Sequence, residues 1–359
     1  MNYDIYLPSY TIGTDAYEQL GNICKAYGSK AVIIGGHKAI EAVKEKLLSS
    51  AKKNGIFPVG FVWYGGECSF ENVEKLKNNP DVLDADLIWA VGGGKATDTA
   101  KVVGYELNKP VFTFPTIASN CSACTSVSIM YTNEGVFVRP YFFEKPPVHA
   151  FIDTSIIAAS PKKYMWAGIG DTYAKYFESA MSSRDEEVPH YISMGVANSR
   201  MCYEPILKYG VMALKDIEEN NATKAFEQVV LSIIVSTGVA SILLTKDHVV
   251  DYNSGLAHAI FYALTSFPQI ESNHLHGEVV SYGILVLLLV DKDEENFKKV
   301  YEFNRNIGLP LKLEDIEIDA ADLEKVAEMA ADMKDIEHNP YKITKEMIAE
   351  AMKKLENMF

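Results

Sequence analysis

Three side chains of the kind that hold divalent metals sit in apolar surroundings in the second half of the chain. Asp171 falls in "AGIGDTYAKYFE", at what reads as the start of a helix. His258 falls in "GLAHAIFYAL", inside an apolar helix, and His274 and His276 in "ESNHLHGEVV", just ahead of another. One carboxylate and two imidazoles from separate helices make a three-ligand set for zinc or ferrous iron, with positions left open for a substrate. The plainer reading makes Asp171 a helix N-cap and each histidine a hydrogen-bonded core residue. The spacing 171, 258, 276 is no local metal motif, so the residues alone leave both readings open.

A second stretch, "WAVGGGKATDTAK" (89–101), places Gly92, Gly93 and Gly94 between an apolar run and an amphipathic one, with Lys95, Asp98 and Lys101 following. Glycine at a strand end lets backbone approach a ligand, and the helix that opens there offers unpaired N–H groups and a positive dipole end. A pyrophosphate suits that arrangement, with Lys95 adding charge. The stretch is neither the G-x-G-x-x-G fingerprint nor a P-loop, and a tight turn without a ligand needs the same glycines.

The elements that must position these groups can be read from periodicity. Apolar runs at 30–36, 59–66, 86–94, 111–116 and 148–153 read as strands, and the stretches between them as helices, near 38–53, 70–79 and 95–107. Strands alternating with helices predict a parallel sheet covered on both faces. Past "DTSIIAASPKK" (153–163) the apolar spacing changes to three and four, as in "FEQVVLSIIVSTGVASILL" (226–244), which predicts an all-helical remainder. The expected division is an α/β domain over residues 1–160 and a helical domain over 161–359.

Composition bounds the function. The chain has 359 residues, enough for two domains because single cores stop growing at roughly 250–300. A net charge of −14 argues against nucleic acid and anionic membrane surfaces as partners. Cys121 and Cys124 have C-x-x-C spacing but no second pair follows, so zinc-ribbon chemistry is not expected and the five cysteines read as thiols of a reducing compartment. The N-terminus shows no signal-peptide pattern, and the apolar stretch Val279–Val290 is too short to span a bilayer, so a cytoplasmic protein is expected.

Several pieces, in order, carry a resemblance: "GGECS" (65–69), "VGGGKATDTAK" (91–101), "PTIAS" (115–119), "SVSIMYTNEG" (126–135), "AGIGDTYAKYFESA" (167–180), "GLAHAI" (255–260), "HGEVV" (276–280) and "NIGLP" (306–310). Through them the chain resembles the glycerol dehydrogenase branch of the iron-containing alcohol dehydrogenase superfamily, along nearly its whole length. The resemblance implies a dehydroquinate synthase-like fold: a Rossmann-like dinucleotide domain, a helical metal domain, and the active site in the cleft between. It implies Asp171, His258 and His276 as ligands of one divalent metal and as catalytic residues, with His274 a neighbour. It implies NAD or NADP bound along Gly93, Gly94, Lys95 and Asp98 and along Thr116, Ser119, Thr125, Val127 and Tyr131. The implied reaction moves hydride between the carbinol carbon of a small alcohol, diol or polyol and the nicotinamide, in a homo-oligomeric enzyme.

Three positions, Cys121, Phe261 and Gly36, depart from the family pattern, whereas Lys175 agrees with its zinc-type branch. Cys121 stands where glycerol dehydrogenases typically carry the active-site aspartate of "TIASTDAP", so the resemblance implies it as a fourth catalytic-site residue, and glycerol itself is not the expected best substrate. Phe261 stands in place of the second histidine of "HAIHN". Gly36 replaces the aspartate of "VGDK" that hydrogen-bonds the adenosine ribose, leaving His37 and Lys38 as candidate partners for a 2′-phosphate. Lys175 stands where iron enzymes of the superfamily often have a further histidine ligand, which favours the three-ligand zinc pattern. Two other readings fit fewer residues. One is a glycerol-1-phosphate dehydrogenase-like or dehydroquinate-synthase-like enzyme, with only Arg139, Lys145 and Lys175 as phosphate partners; the other is a nucleotide-binding relative without turnover.

Overall fold

A computed structural model describes residues 3–358. It divides into two compact units: residues up to Pro161 together with Lys215–Ile242, and Lys162–Leu214 together with the chain from Leu243 onward. Residues 215–242, which the periodicity assigns to the helical domain, cluster with the first unit.

The first unit holds, in chain order, β1 (Tyr10–Gly13), β2 (Lys30–Gly35), β3 (Phe57–Trp63), β4 (Leu87–Gly92), β5 (Val111–Pro115), β6 (Val127–Tyr131), β7 (Phe137–Phe142) and β8 (His149–Asp153). Among the described residues, six of these form one sheet in the order β1-β8-β5-β4-β2-β3, every neighbouring pair parallel. β4, β5 and β8 are buried along their whole length, and β2 nearly so, because helices cover both faces. Alternate residues point to opposite sides. Ile33, Trp89, Val91, Phe112, Phe114 and Phe151 pack with Ile40, Val43 and Leu47 of helix α1 (His37–Lys53). Val32, Ile34, Ile88 and Ala90 pack instead with Val73 and Leu76 of α2 (Phe70–Lys77) and Ala100 and Val103 of α3 (Gly94–Glu106). β3, which carries Pro58, lies at the sheet edge, where a missing N–H costs nothing.

Two features of this unit go beyond what periodicity predicts. β1 pairs with β8 at the far edge, and β6 and β7 make a separate antiparallel hairpin. The hairpin's turn signal is visible in hindsight as "TNEG", with Gly135 at φ +87° between two runs of strand-forming residues.

In the second unit, the described residues include no named strand, as the change of periodicity predicts. The helices that carry Asp171, His258 and His276 are α4 (Lys162–Ser182), α6 (Leu256–Leu264) and α7 (His276–Val290); between α4 and α6 in sequence runs α5 (Lys224–Leu244), which belongs to the first unit as far as Ile242. α5 is 21 residues long and apolar enough to cross a membrane, but 72% of its most apolar window is buried inside the protein, as in a core helix. α4 begins at Lys162, so Asp171 lies within the helix and not at its start. The N-cap reading of Asp171 therefore falls away.

Candidate active site

The convergence of Asp171, His258 and His276 begins with close helix packing. A Cβ built on Gly170 would lie 2.2 Å from the carbonyl oxygen of Gly277, and one on Gly277 would lie 2.0 Å from that of Ala167. Both distances are below any van der Waals contact, so α4 and α7 meet backbone to backbone only because these residues are glycine. One turn along α7 and beyond, Gly283 lets the carbonyl of Ala257 in α6 approach a built Cβ to 2.5 Å. These contacts bring the residues beside them, Asp171 and His276, face to face. They set α6, with His258, against the same helix.

The resulting geometry is compact. Asp171 Oδ1 lies 3.5 Å from His258 Nε2 and 3.4 Å from His276 Nε2. One donor atom from each residue falls within 4.8 Å of the others. Behind them stands Glu178, two turns after Asp171 on the same face of α4 and fully buried. Its Oε2 is 2.7 Å from His258 Nδ1, while its Oε1 accepts the backbone N–H groups of Gly255 and His258 at 2.9 and 3.0 Å. A carboxylate only accepts, so Nδ1 of His258 carries a proton held by Glu178, and Nε2 is the nitrogen that faces Asp171 and would give up its own proton to a metal. Sequence reasoning missed Glu178. Its signal was the spacing of seven from Asp171.

Electrostatics follow from this arrangement. Burial alone would push the His258 imidazole down, but Glu178 and Asp171 outweigh it and raise it to about 10. Burial would raise the Asp171 carboxyl, but hydrogen bonds from His258 and His276 hold it well below the usual carboxylate range. The two carboxylates thus favour positive charge at His258, so a metal bound there would displace a proton. Two imidazole nitrogens and one carboxylate oxygen within 4.8 Å of one another match the donor types that zinc and iron sites use.

Neighbours of the triad have distinct roles. His274 is directed to Glu278, 2.9 Å away, at the entry to α7, and is not one of the converging ligands. Lys175, four residues past Asp171, is buried and donates to both oxygens of Asn253. The ring of Phe261 packs edge-on against His276, with centroids 4.3 Å apart. That gives the histidine an apolar flank.

In the first unit the glycine stretch ends β4 and opens α3. Gly92 has φ +141°, a conformation that other residues rarely adopt, and Gly93 is the N-cap. A Cβ on Gly94 would lie 2.6 Å from Asn120 Nδ2. A pocket is lined there by Gly93, Gly94, Thr97, Ser119, Asn120 and Ser122, among others. β2 and β4 are adjacent although β3 intervenes in sequence, so the chain reverses its lateral direction between them. Dinucleotides bind beyond the carboxyl ends of strands at such a switch point. Gly36, which caps α1 after β2, is on that same edge.

Lys95, also expected at the coenzyme site, pairs with Glu67 and lies over the ring of Tyr131, 5.5 Å from its centroid. Asp98 is buried: Ser122 Oγ donates to it at 2.5 Å, Ile129 N at 3.1 Å, and Lys101 Nζ is 2.9 Å away. Lys101 also donates to the carbonyls of Ser122 and Val127 and to Thr125 Oγ1. Asp98 and Lys101 thus tie α3 to the segment 122–129, and the pocket is lined by glycines, small polar side chains and the apolar Pro115, Ile117 and Ala123. Thr116 is buried just after β5, with its N–H on Gly92 O; Val127 and Tyr131 begin and end β6. Cys121 immediately precedes the short 3₁₀ turn Ser122–Cys124, and no disulfide joins the five cysteines among the described residues. Of the cations considered for a substrate phosphate, Arg139 stacks on Phe70, Lys145 lies over Tyr6 and Lys175 holds Asn253. Each has its own partner.

Residues 8–154 match the family model for iron-containing alcohol dehydrogenases. The chain is 35% identical to a glycerol dehydrogenase of Thermotoga maritima, over 97% of its own length and 95% of that protein's. It is 27% identical to a glycolaldehyde reductase of Halobacterium salinarum, over 98% of its own length and 96% of the other's. Its structure superposes on a glycerol dehydrogenase from Schizosaccharomyces pombe with a TM-score of 0.85 at 26% identity, covering 99% of this chain and 90% of that one.

Proposed function

The chain belongs to the iron-containing alcohol dehydrogenase family, and from that premise we propose that Asp171, His258 and His276 hold its metal and that its best substrates are less polar than glycerol. It is a metal-dependent alcohol and polyol dehydrogenase of the glycerol dehydrogenase type, acting on CH–OH groups with a nicotinamide dinucleotide. The observation that carries the metal assignment is the convergence of two imidazole nitrogens on Asp171, with Glu178 fixing the His258 tautomer. A divalent metal held there supplies Lewis-acid stabilisation of charge on the substrate oxygen.

The chain's own residues do the rest. Glu178 orients His258, and the Gly170–Gly277 approach sets the distance between Asp171 and His276. Gly93 and Gly94 present the amide end of α3 to the coenzyme pyrophosphate, within a site that also includes Gly36, Lys95, Asp98, Thr116, Ser119, Thr125, Val127 and Tyr131. Lys95 and Asp98 support that site through Glu67 and Ser122. Zinc is the metal favoured by three protein ligands with Lys175 committed to Asn253.

Two residues carry the substrate reading. Phe261 flanks His276, and Cys121 supplies a thiol where an aspartate would accept hydrogen bonds from a polyol. A 1,2-diol or a hydroxyaldehyde loses less than glycerol from both changes. A relative named glycolaldehyde reductase supports that direction.

The deciding experiment has two arms. His276→Ala should lose metal and activity together yet stay folded, because α7 is buried along nearly its whole length and each buried Leu, Ile or Val contributes about 1.5–3 kcal/mol. Full metal occupancy in that variant removes His276 from the ligand set. In the second arm, kcat/KM is compared for glycerol, propane-1,2-diol and glycolaldehyde in wild type and Cys121→Asp. A wild type that prefers glycerol by a wide margin, with no shift in the variant, overturns the substrate reading.

A further inference from the structure

The helical run α5 contains one turn of π-helix, Ser232–Ser236, within the unit that holds the dinucleotide sheet. Thr237 Oγ1 donates to Ser232 O at 2.9 Å, across five residues, which closes the wider turn. A π turn inserts one residue and so rotates the remainder of the helix by about 100° relative to an unbroken α-helix. The next residue after Thr237 is Gly238, and the rotation brings it against the 3₁₀ turn Ser122–Cys124. A Cβ built on Gly238 would lie 2.8 Å from Cys124 Cβ and 3.4 Å from its carbonyl carbon and oxygen.

Residues of that same turn, and those just before it, line the glycine pocket. Ser119, Asn120, Ser122 and Ala123 line it, and Asn120 Nδ2 is the atom nearest to Gly94. From the other directions the turn is already fixed, by Asp98 on Ser122 Oγ, Lys101 on Ser122 O and Thr113 Oγ1 on Ala123 O at 2.9 Å. These bonds hold residues 122 and 123 together with Cys124 as one turn, so a displacement imposed at Cys124 is passed on to the pocket wall.

We infer that the π turn of α5 and Gly238 are a positioning device for the coenzyme site, setting the depth of the pocket by the closeness of Gly238 to Cys124. The inference rests on the proposal that this pocket binds the dinucleotide. Gly238 touches no ligand; it acts through the 119–124 turn.

The test is NADH binding to the purified full-length protein, titrated by fluorescence at a temperature where circular dichroism shows each variant folded. Gly238→Ala should weaken NADH binding on the order of tenfold, the scale expected of a sub-ångström misplacement. Cys124→Gly in the Gly238→Ala background removes the clashing Cβ and should restore binding. Cys124→Ala in that background keeps the Cβ and should not. Wild-type affinity in Gly238→Ala, or equal rescue by both second changes, overturns the inference. If Gly238→Ala does not fold, the comparison is Cys124→Gly with and without Gly238→Ala, where a difference in NADH affinity overturns it. Gly94→Val isolates the underlying proposal: unchanged NADH binding there means that the pocket is not the coenzyme site, whatever Gly238 does.

Discussion

Glu178 stands directly behind His258, one carboxylate oxygen 2.7 Å from the imidazole Nδ1 and the other accepting the residue's own backbone N–H. Ring and helix are thereby fixed by one buried side chain. Replacing it by glutamine keeps the shape but removes the charge that favours a proton on Nδ1. Glu178→Gln should weaken metal binding by about 10–100-fold while the fold persists. The measurement is metal retained after dialysis against graded chelator. Retention equal to wild type would mean that His258 needs no such partner.

The approach of α4 and α7 gives a second prediction, because two effects of opposite sign compete. Gly277→Ala gains up to about 1 kcal/mol from helix propensity. It also forces a Cβ to 2.0 Å from the Ala167 carbonyl, an overpacking that costs typically about 1–3 kcal/mol. The clash involves rigid backbone, so it should prevail. Melting temperature and metal content should fall together. A higher melting temperature would show that the helices separate freely.

Parts of this architecture are legible in the sequence, and the reasons differ by element. β2, β4, β5 and β8 stand out because burial on both faces gives unbroken apolar runs. β1 does not, since four half-exposed residues acquire their meaning from pairing with β8, some 140 positions away. The types of the proposed metal ligands are readable, but their convergence is not, because it depends on glycines whose packing role appears only in three dimensions. Lys95 reads as a phosphate ligand from its place after three glycines. Its ion pair with Glu67 comes from the turn after β3 and leaves no mark in the motif itself. Asp171 reads as a helix start because it follows Gly170, whereas that glycine is a site of close packing inside α4.

Acid stability should report on His149, which is buried in β8 with Ser9 Oγ at 2.7 Å from Nδ1 and Thr11 Oγ1 at 2.9 Å from Nε2. Burial pushes this imidazole from its ordinary 6.5 down to about 4. Between those values the unfolded chain binds the proton and the folded chain does not, so stability falls as pH drops from 6.5 toward 4. The full loss from this one group is about 3 kcal/mol, at about 1.4 kcal/mol per pH unit. Denaturant midpoints across that range should fall less steeply in His149→Gln, whose amide still has hydrogen-bond partners for both hydroxyls. Equal slopes in the two proteins would assign the acid sensitivity elsewhere.

The last prediction concerns coenzyme choice at Gly36. The residue caps α1 in an extended conformation with no side-chain cap, beyond the end of β2 at the switch point of the sheet. A Cβ there meets nothing nearer than Tyr64 Cε1 at 3.6 Å, so an aspartate fits without displacing its neighbours. His37 lies flat against Trp63, with centroids 5.6 Å apart at 11°, and is exposed. At such exposed sites each pairing of His37 or Lys38 with a 2′-phosphate is worth only ~0.5–1 kcal/mol, so wild type should accept both coenzymes with a bias of a few-fold. Gly36→Asp should add a ribose hydrogen bond for NAD and repel the 2′-phosphate, moving the ratio of kcat/KM values toward NAD. The same aspartate is a better N-cap than glycine, by roughly a few tenths of a kcal/mol, so the variant should be no less stable than wild type. A falling melting temperature would mean that the space beside Tyr64 is not open. A wild type that uses NAD alone, with a ratio unmoved by the substitution, would place ribose recognition on another residue.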